Sequence, residues 1–293
     1  MSKDTDVVIV SAARTAIGTF GGTLREVRAH QLAAHVMVEV LKRANNLDPN
    51  VISDVIVGDC LQNVDEANTA RVAALAAGIP HQVTAFTVQR NCASSMQALI
   101  SGAQQIICQD SDVVLVAGVE SMSSGPYYMD KARWGMRLRN HEVIDSVWEA
   151  LHSGSRLLGE DMIMGITAEN IAEKDDISRE DQDQVALESN NKAEAAIKAG
   201  LFAEEIVPME VSGDRGESVV FLQDEHPRFG LSIEDLAKLK PVFKKDGTVT
   251  AGNSSGINDG AAAAVIMTRK RAKDLGLTPL ARIVSHSIAG VDP

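Results

Sequence analysis

The chain is short of rings: two tryptophans, two tyrosines and six phenylalanines make up 3% of its 293 residues. A core without rings has to be filled by aliphatic side chains, and alanine, valine and isoleucine are plentiful, the mixture of α/β cores. Cysteine is scarce as well. Three residues cannot all pair within one chain and none has metal-site spacing, so neither a disulfide framework nor structural zinc is expected. Positive charge is in deficit, with 28 Lys and Arg against 40 Asp and Glu. The resulting net charge of −12 argues against nucleic acid, which needs a positive footprint, although it leaves room for a phosphate held by a few local cations. No apolar run approaches membrane-spanning length. Residues 1–6 are polar and acidic and lead straight into a strand, without the apolar stretch of a secretory signal. These absences predict a soluble, cytoplasmic protein with no nucleic-acid or membrane partner and no metal.

What is present alternates. Residues 6–11, 54–58, 84–88 and 112–117 read as strands of the buried type. Between them, residues 24–44 carry Leu32, Val36 and Val40 at four-residue spacing. Residues 67–77 form a small-residue helix stopped by Gly78 and Pro80, and residues 93–109 are a third helix. Strand–helix alternation predicts βαβ units and a mostly parallel sheet. From residue 121 the pattern becomes turn-rich. Helices follow at 165–174, at 179–199 (with Ser178 as N-cap and Gly200 as stop) and at 231–239, with a strand pair at 206–211 and 218–222. This region reads as an insertion covering one face of the sheet. The α/β pattern returns with a strand at 261–268, a helix at 269–275 and a strand starting at Ala281. A parallel partner for that last strand needs a crossover and more chain than remains before Pro293, so its sheet is expected to continue outside this chain.

The three cysteines stand in unlike contexts. Cys92 lies in Thr-Val-Gln-Arg-Asn-Cys-Ala-Ser-Ser-Met-Gln-Ala, residues 87–98, at a strand-to-helix junction. Free N–H groups and the helix dipole favour a thiolate there, and the thiolate is the nucleophile. Cys60, after a strand, and Cys108, near the end of the helix that Cys92 precedes, read as small buried hydrophobes. By local context alone, Cys92 stays open between nucleophile and structural thiol. The seven histidines are scattered without ligand spacing, and none is assigned to catalysis.

Five stretches, in order along the chain, resemble the thiolase family, its biosynthetic acetyl-CoA acetyltransferase type most of all. They are Val-Ser-Ala-Ala-Arg-Thr-Ala-Ile-Gly (10–18), Asn-Cys-Ala-Ser-Ser-Met-Gln-Ala (91–98), Gly-Val-Glu-Ser-Met-Ser (118–123), Met-Gly-Ile-Thr-Ala-Glu (164–169) and Thr-Val-Thr-Ala-Gly-Asn-Ser-Ser-Gly-Ile-Asn-Asp-Gly (248–260). The resemblance implies a layered αβαβα fold built of two βαβαβαββ halves, with a coenzyme A-binding loop domain inserted in the first. Residues 1–121 and 250–274 would form the first half, 122–249 the loop domain, and 275–293 the start of a second half that is otherwise absent.

The same resemblance implies a ping-pong acyltransferase with Cys92 as nucleophile, acyl-CoA thioesters as substrates and no separate cofactor, working as a homodimer or tetramer. Arg228, Ser255, Ala251 and Met164 match the family's coenzyme A contacts. The glycine- and serine-rich loop 252–260 permits close backbone approach to a ligand.

Departures accompany the match. The family's Gly-His-Pro, Cys-x-Gly-Gly-Gly and Asn-Glu-Ala-Phe motifs do not occur, and His286, with no proline after it, takes none of their roles. Without those groups the chain by itself is expected to be inactive or very weak. Ser95 stands where the family often has glycine, Gln89 where it often has asparagine, and Ile163 where biosynthetic members tend to have histidine. Two alternatives remain open: another condensing enzyme of the superfamily, and a non-catalytic homologue serving as an acyl-CoA-binding or dimerisation module.

Overall fold

The computed structural model describes residues 3–213 and 216–292. The β-branched runs become strands and the small-residue and amphipathic runs become helices, as stiff side chains on a pleat and flexible ones on a helix require. In chain order the elements are β1 (Val7–Arg14), β2 (Gly18–Thr19), α1 (Ala29–Arg43), β3 (Asp54–Gly58), α2 (Thr69–Ala76), β4 (Thr84–Val88), α3 (Ser94–Cys108), β5 (Val113–Ser121), β6 (Tyr127–Tyr128), β7 (Ile144–Asp145), α4 (Ser146–Leu151), α5 (Met164–Lys174), α6 (Arg179–Lys198), β8 (Met209–Ser212), β9 (Ser218–Phe221), α7 (Ile233–Ala237), β10 (Asn258–Thr268), α8 (Arg269–Asp274) and β11 (Ala281–Arg282), besides short 3₁₀ turns. They fall into two units. One comprises Met1–Ser124, Glu204–Glu225 and Asn258–Ile288; the other comprises Gly125–Ala203, His226–Ile257 and Ala289–Pro293. The stretch expected to be one insertion is therefore divided, because residues 204–225, with the β8–β9 hairpin, belong to the first unit.

The first unit holds a seven-stranded sheet in the order β11-β1-β10-β5-β3-β4, with β2 also paired to β10. Only β4-β3-β5 is parallel; β10 runs antiparallel to both β1 and β5, and β11 antiparallel to β1. The expectation of a mostly parallel sheet is corrected accordingly. Strand–helix alternation fixes direction only where a helical crossover joins neighbours, and β10 enters the sheet from the loop segment before it.

Side chains alternate across the pleat. Ile56, Val114, Val116 and Ile266 meet Ala98, Ala103 and Ile106 of α3. Leu115, Val265 and Met267, fully buried, face the other way, where α1 packs on β10 and β5 with Leu32, Val36, Met37 and Val40 inward. Helix α1 starts at Ala29 rather than residue 24. The backbone N–H groups of Thr19 and Thr23 are taken by the Glu225 carboxylate at 2.9 and 3.2 Å, which holds residues 19–23 as turns.

Ala281 also needs correction. It does not open a separate sheet: Val8 pairs with Arg282 and Ile9 with Ala281, flanked by Leu280 N–H to Ile9 O and Ile283 N–H to Val7 O at 2.8 and 3.0 Å. Residues 281–282 thus extend the first unit's sheet beyond β1.

The second unit carries α4 to α7 and the β6–β7 pair. Ser178 caps α6 by accepting from Asp181 N, and Ser232 and Asp235 cap α7 reciprocally. No helix among the described residues is long and apolar enough to cross a membrane.

Candidate functional site

Five residues, 89–93, separate β4 from α3. Within them Asn91 adopts a left-handed φ of 46°, a conformation asparagine tolerates better than most residues. Ser94 fixes this turn. Its Oγ accepts from Arg90 N at 2.8 Å and donates to the Asn91 carbonyl oxygen at 2.6 Å. Cys92 is exposed, two residues before the first helical residue.

Two glycines decide where that turn sits. A methyl group at Gly58 would lie 2.2 Å from the Ser94 carbonyl carbon, and one at Gly118 would lie 1.8 Å from Ser95 Oγ. The first turn of α3 therefore rests directly on the carboxyl ends of β3 and β5, the edge at which open α/β sheets bind ligands. Ser95 neither caps the helix nor crowds it; it seats against Gly118, whose missing side chain makes the room.

Beside the turn lie two acids, a buried Asp59 and a half-buried Glu120. Glu120, at the end of β5, accepts from Cys60 N at 3.1 Å and Leu61 N at 3.0 Å. Asp59, following β3, accepts from Thr69 Oγ1 at 2.5 Å through Oδ2, and no donor reaches its buried Oδ1. Burial raises both carboxyls, and the negative charge of Asp59 helps push Glu120 up to about 7. The pair therefore holds on to protons more readily than free carboxylates do. Burial pushes the Cys60 thiol up to about 12, so it is a protonated donor at neutral pH. Cys60 is half-buried and hydrogen-bonded, its Sγ 2.7 Å from the Asn91 carbonyl oxygen, rather than a passive hydrophobe. Cys108, expected to be buried, is exposed at the last turn of α3.

In the second unit a cavity of about 600 Å³ is lined by Arg228, Ser255 and Ala251 together with Asn190, Val185 and His226. Met164, the first residue of α5 and 47% exposed, is not among its lining residues, so three of the four expected coenzyme A contacts come together and one does not. Asn190 of α6 holds the loop that bears Arg228. Its amide donates to Arg228 O at 2.7 Å and accepts from Arg228 N at 2.8 Å, and Glu194 one turn on accepts from Gly230 N at 2.9 Å. The exposed Arg228 guanidinium has no carboxylate within ion-pair distance among the described residues. On the opposite wall, Asn253 accepts from Thr250 N at 2.7 Å and donates to Asp183 at 2.9 Å, which Arg179 pairs at 2.7 Å. Buried Glu169 accepts from Thr248 N and Val249 N at 3.0 and 2.8 Å. A methyl group at Gly247 would press on the Glu169 carboxylate and push it from its backbone donors.

Sequence reasoning singled out none of Glu120, Asp59, Asn190 or Glu169. The signal for the first two was present: a carboxylate closes an otherwise apolar strand run at 113–120 and another follows the run at 54–58.

Comparison with known proteins agrees with this architecture. The thiolase N-terminal domain matches residues 7–270, and the chain belongs to the thiolase family. It is 46% identical to an acetyl-CoA acetyltransferase of Pseudomonas aeruginosa, over 98% of this chain and 72% of that protein. It is 47% identical to a beta-ketothiolase of Cupriavidus necator, over 98% and 72%. Among solved structures, the Bacillus anthracis acetyl-CoA acetyltransferase superposes with a TM-score of 0.93 at 51% identity, covering 98% of this chain and 71% of that one. The human mitochondrial 3-ketoacyl-CoA thiolase in complex with CoA superposes at 0.88 with 39% identity, covering 96% and 69%. The α/β, thiolase-like fold expected from the five stretches is thus borne out.

Proposed function

We propose that the chain is a thiolase-type acyltransferase in which Cys92 accepts the acyl group of a coenzyme A thioester. The observation that carries this reading is the placement of Cys92: exposed, on a pinned left-handed turn, ahead of α3 and above the carboxyl ends of β3 and β5. A nucleophile there is open to substrate and stands ahead of the free N–H groups of the first turn of α3. In the acylation step the Cys92 sulfur attacks the thioester carbonyl carbon. The bond from that carbon to the coenzyme A sulfur breaks, and coenzyme A leaves as a thiol carrying the proton that Cys92 gives up. One thioester replaces another, so little energy is lost. The acyl-cysteine then passes its acyl group to C2 of an acetyl-CoA as the bond to the Cys92 sulfur breaks, the proton lost from C2 ending on that sulfur, or to the coenzyme A thiol in the reverse direction.

In this reading the nucleotide end of coenzyme A is held in the cavity of the second unit. Arg228 offers a bidentate cation to its phosphates, with Ser255 and Ala251 on the wall. We keep Met164 as a contact outside that cavity. Coenzyme A thioesters are substrates, and no resident cofactor is invoked. The reading includes a homo-oligomer, supported by β4, an edge strand with Thr84 and Phe86 exposed. It also includes a cytoplasmic location, supported by three free thiols.

Prolonged incubation with acetyl-CoA followed by peptide mass spectrometry should place one acetyl group on Cys92 and none on Cys60 or Cys108. Cys92→Ala should abolish the adduct and retain coenzyme A binding by calorimetry. The Gly-His-Pro, Cys-x-Gly-Gly-Gly and Asn-Glu-Ala-Phe groups do not occur in this chain, so the transfer is expected to be slow; folded protein that binds coenzyme A and takes acetyl groups at Cys60 or Cys108 as readily as at Cys92 would overturn the reading in favour of a non-catalytic acyl-CoA-binding module.

A further inference from the structure

Cys60 has no place in the chemistry above, yet its thiol reaches the turn that carries Cys92. Its Sγ lies 2.7 Å from the Asn91 carbonyl oxygen and 3.4 Å from Ser94 Oγ. The Ser94 hydroxyl has one proton and directs it to the same Asn91 oxygen at 2.6 Å, while accepting from Arg90 N. The Asn91 carbonyl thus receives two donors, one from α3 and one from the segment after β3.

That carbonyl belongs to the peptide joining Asn91 to Cys92. A trans peptide is planar, and its C=O and N–H point in opposite directions. Pinning the Asn91 oxygen toward Cys60 and Ser94 therefore aims the Cys92 N–H away from them and fixes the N–Cα bond about which the Cys92 side chain turns. The pin opposes a real cost, since Asn91 stands in the left-handed region.

Cys60 is itself immobilised. Its own N–H and that of Leu61 donate to the two oxygens of Glu120, at 3.1 and 3.0 Å, and Asp59 N donates to Val88 O at 3.2 Å. A chain of contacts thus runs from the end of β5 through the Cys60 backbone and thiol to the peptide before Cys92. The thiol's own behaviour agrees: burial keeps it protonated, as a donor has to be.

We propose that Cys60 is a positioning residue for Cys92, its S–H group holding the Asn91–Cys92 peptide in the orientation that presents the Cys92 sulfur. The proposal rests on Cys92 being the acyl acceptor, and two readouts separate the failure of one from the failure of the other.

Cys60→Ala removes the donor, and Cys60→Ser keeps one of similar reach. Each is to be compared with the parent by the rate of acetyl transfer to Cys92 from acetyl-CoA. The second readout is iodoacetamide labelling of Cys92 relative to Cys108 in the same molecule, a ratio that a uniform loss of stability does not move. Cys60→Ala is expected to slow acetyl transfer about tenfold and to lower the labelling ratio about fivefold, the size of one lost hydrogen bond with its misalignment. Cys60→Ser should restore most of both. If the acetyl group goes to Cys108 as readily as to Cys92 while the labelling ratio still depends on Cys60, the positioning role stands and the acyl reading falls. If Cys60→Ala matches the parent in both, or if well-folded Cys60→Ser is as impaired as Cys60→Ala, the positioning role is overturned.

Discussion

The two units make their candidate sites by different means. In the first, backbone approaches backbone: α3 can rest on β3 and β5 only because residues 58 and 118 have no side chain, and Cys92 inherits its place from that contact. In the second, side chains tie loops to helices. Asn190 holds the Arg228 loop, Asn253 and Asp183 hold the 250–255 turn, and Glu169 holds residues 248 and 249. The first device is steric and tolerates almost nothing. The second is a set of hydrogen bonds that can be removed one at a time, each with a modest and local effect. A nucleophile needs its direction fixed closely, whereas a cavity for a long, flexible ligand needs only its walls kept in place.

The largest effect should come from Gly58→Ala. The new methyl group would sit 2.2 Å from a backbone carbon of Ser94, which cannot rotate away as a side-chain tip would. Either α3 lifts from β3 or the strand moves, at a cost of about 3 kcal/mol. Denaturant unfolding should show that loss, and the ratio of Cys92 to Cys108 labelling by iodoacetamide should shift from that of the parent. A variant as stable as the parent would show that α3 is not seated by close approach and would remove the steric half of the comparison.

Glu169→Ala should cost less and act elsewhere. It leaves the N–H groups of Thr248 and Val249 without their acceptor in a buried place, worth about 2 kcal/mol. Hydrogen exchange should speed up at residues 247–250 and weaken coenzyme A binding, while the acetylation rate of Cys92 at saturating acetyl-CoA stays near that of the parent. If protection instead falls across β3 and β5, the two devices are not separable.

How much of this was legible beforehand follows the same division. The helices α3, α5 and α6 and strands β3 and β4 were readable to within a residue or two, because period, cap and stop signals coincide there: Ser178 before α6, Gly200 after it, Pro80 after α2. The antiparallel entry of β10 between β1 and β5 was not, since periodicity states that a strand exists and not which neighbour it takes. The pairing of β11 with β1 was missed for the same reason. Cys92 was visible from its junction, and Arg228, Ser255 and Ala251 only through a resemblance. Cys60 was misread because nothing in its own neighbourhood reveals that residue 91, thirty-one positions away, turns its carbonyl toward it. Burial of Cys108 was expected from residue type alone, and the exposed side of α3 decided otherwise. Long-range contacts, steric at Gly58 and Gly118 and polar at Asn190 and Glu169, leave no period in a sequence, and the two candidate sites are made of them.

The smallest effect is a slope rather than a loss, and it tests whether the acid pair beside the Cys92 turn behaves as the dry interior of the first unit requires. Glu120 is raised from its ordinary value to about 7 by burial first and by Asp59 second. Between the unfolded value near 4.5 and the folded value near 7, the folded chain holds a proton that the unfolded chain has released. The stabilising contribution is therefore complete below about pH 4.5 and is lost as pH rises through 7. From pH 6 to pH 8 the free energy of unfolding should fall by about 1 kcal/mol on this account. Glu120→Gln cannot ionise. Its carbonyl can serve only one of the two N–H groups of Cys60 and Leu61, so the variant should start less stable at pH 6, but its stability should change little up to pH 8. Urea unfolding at a series of pH values measures both quantities. Parallel slopes in parent and variant would mean that Glu120 is ionised throughout and that neither burial nor Asp59 raises it.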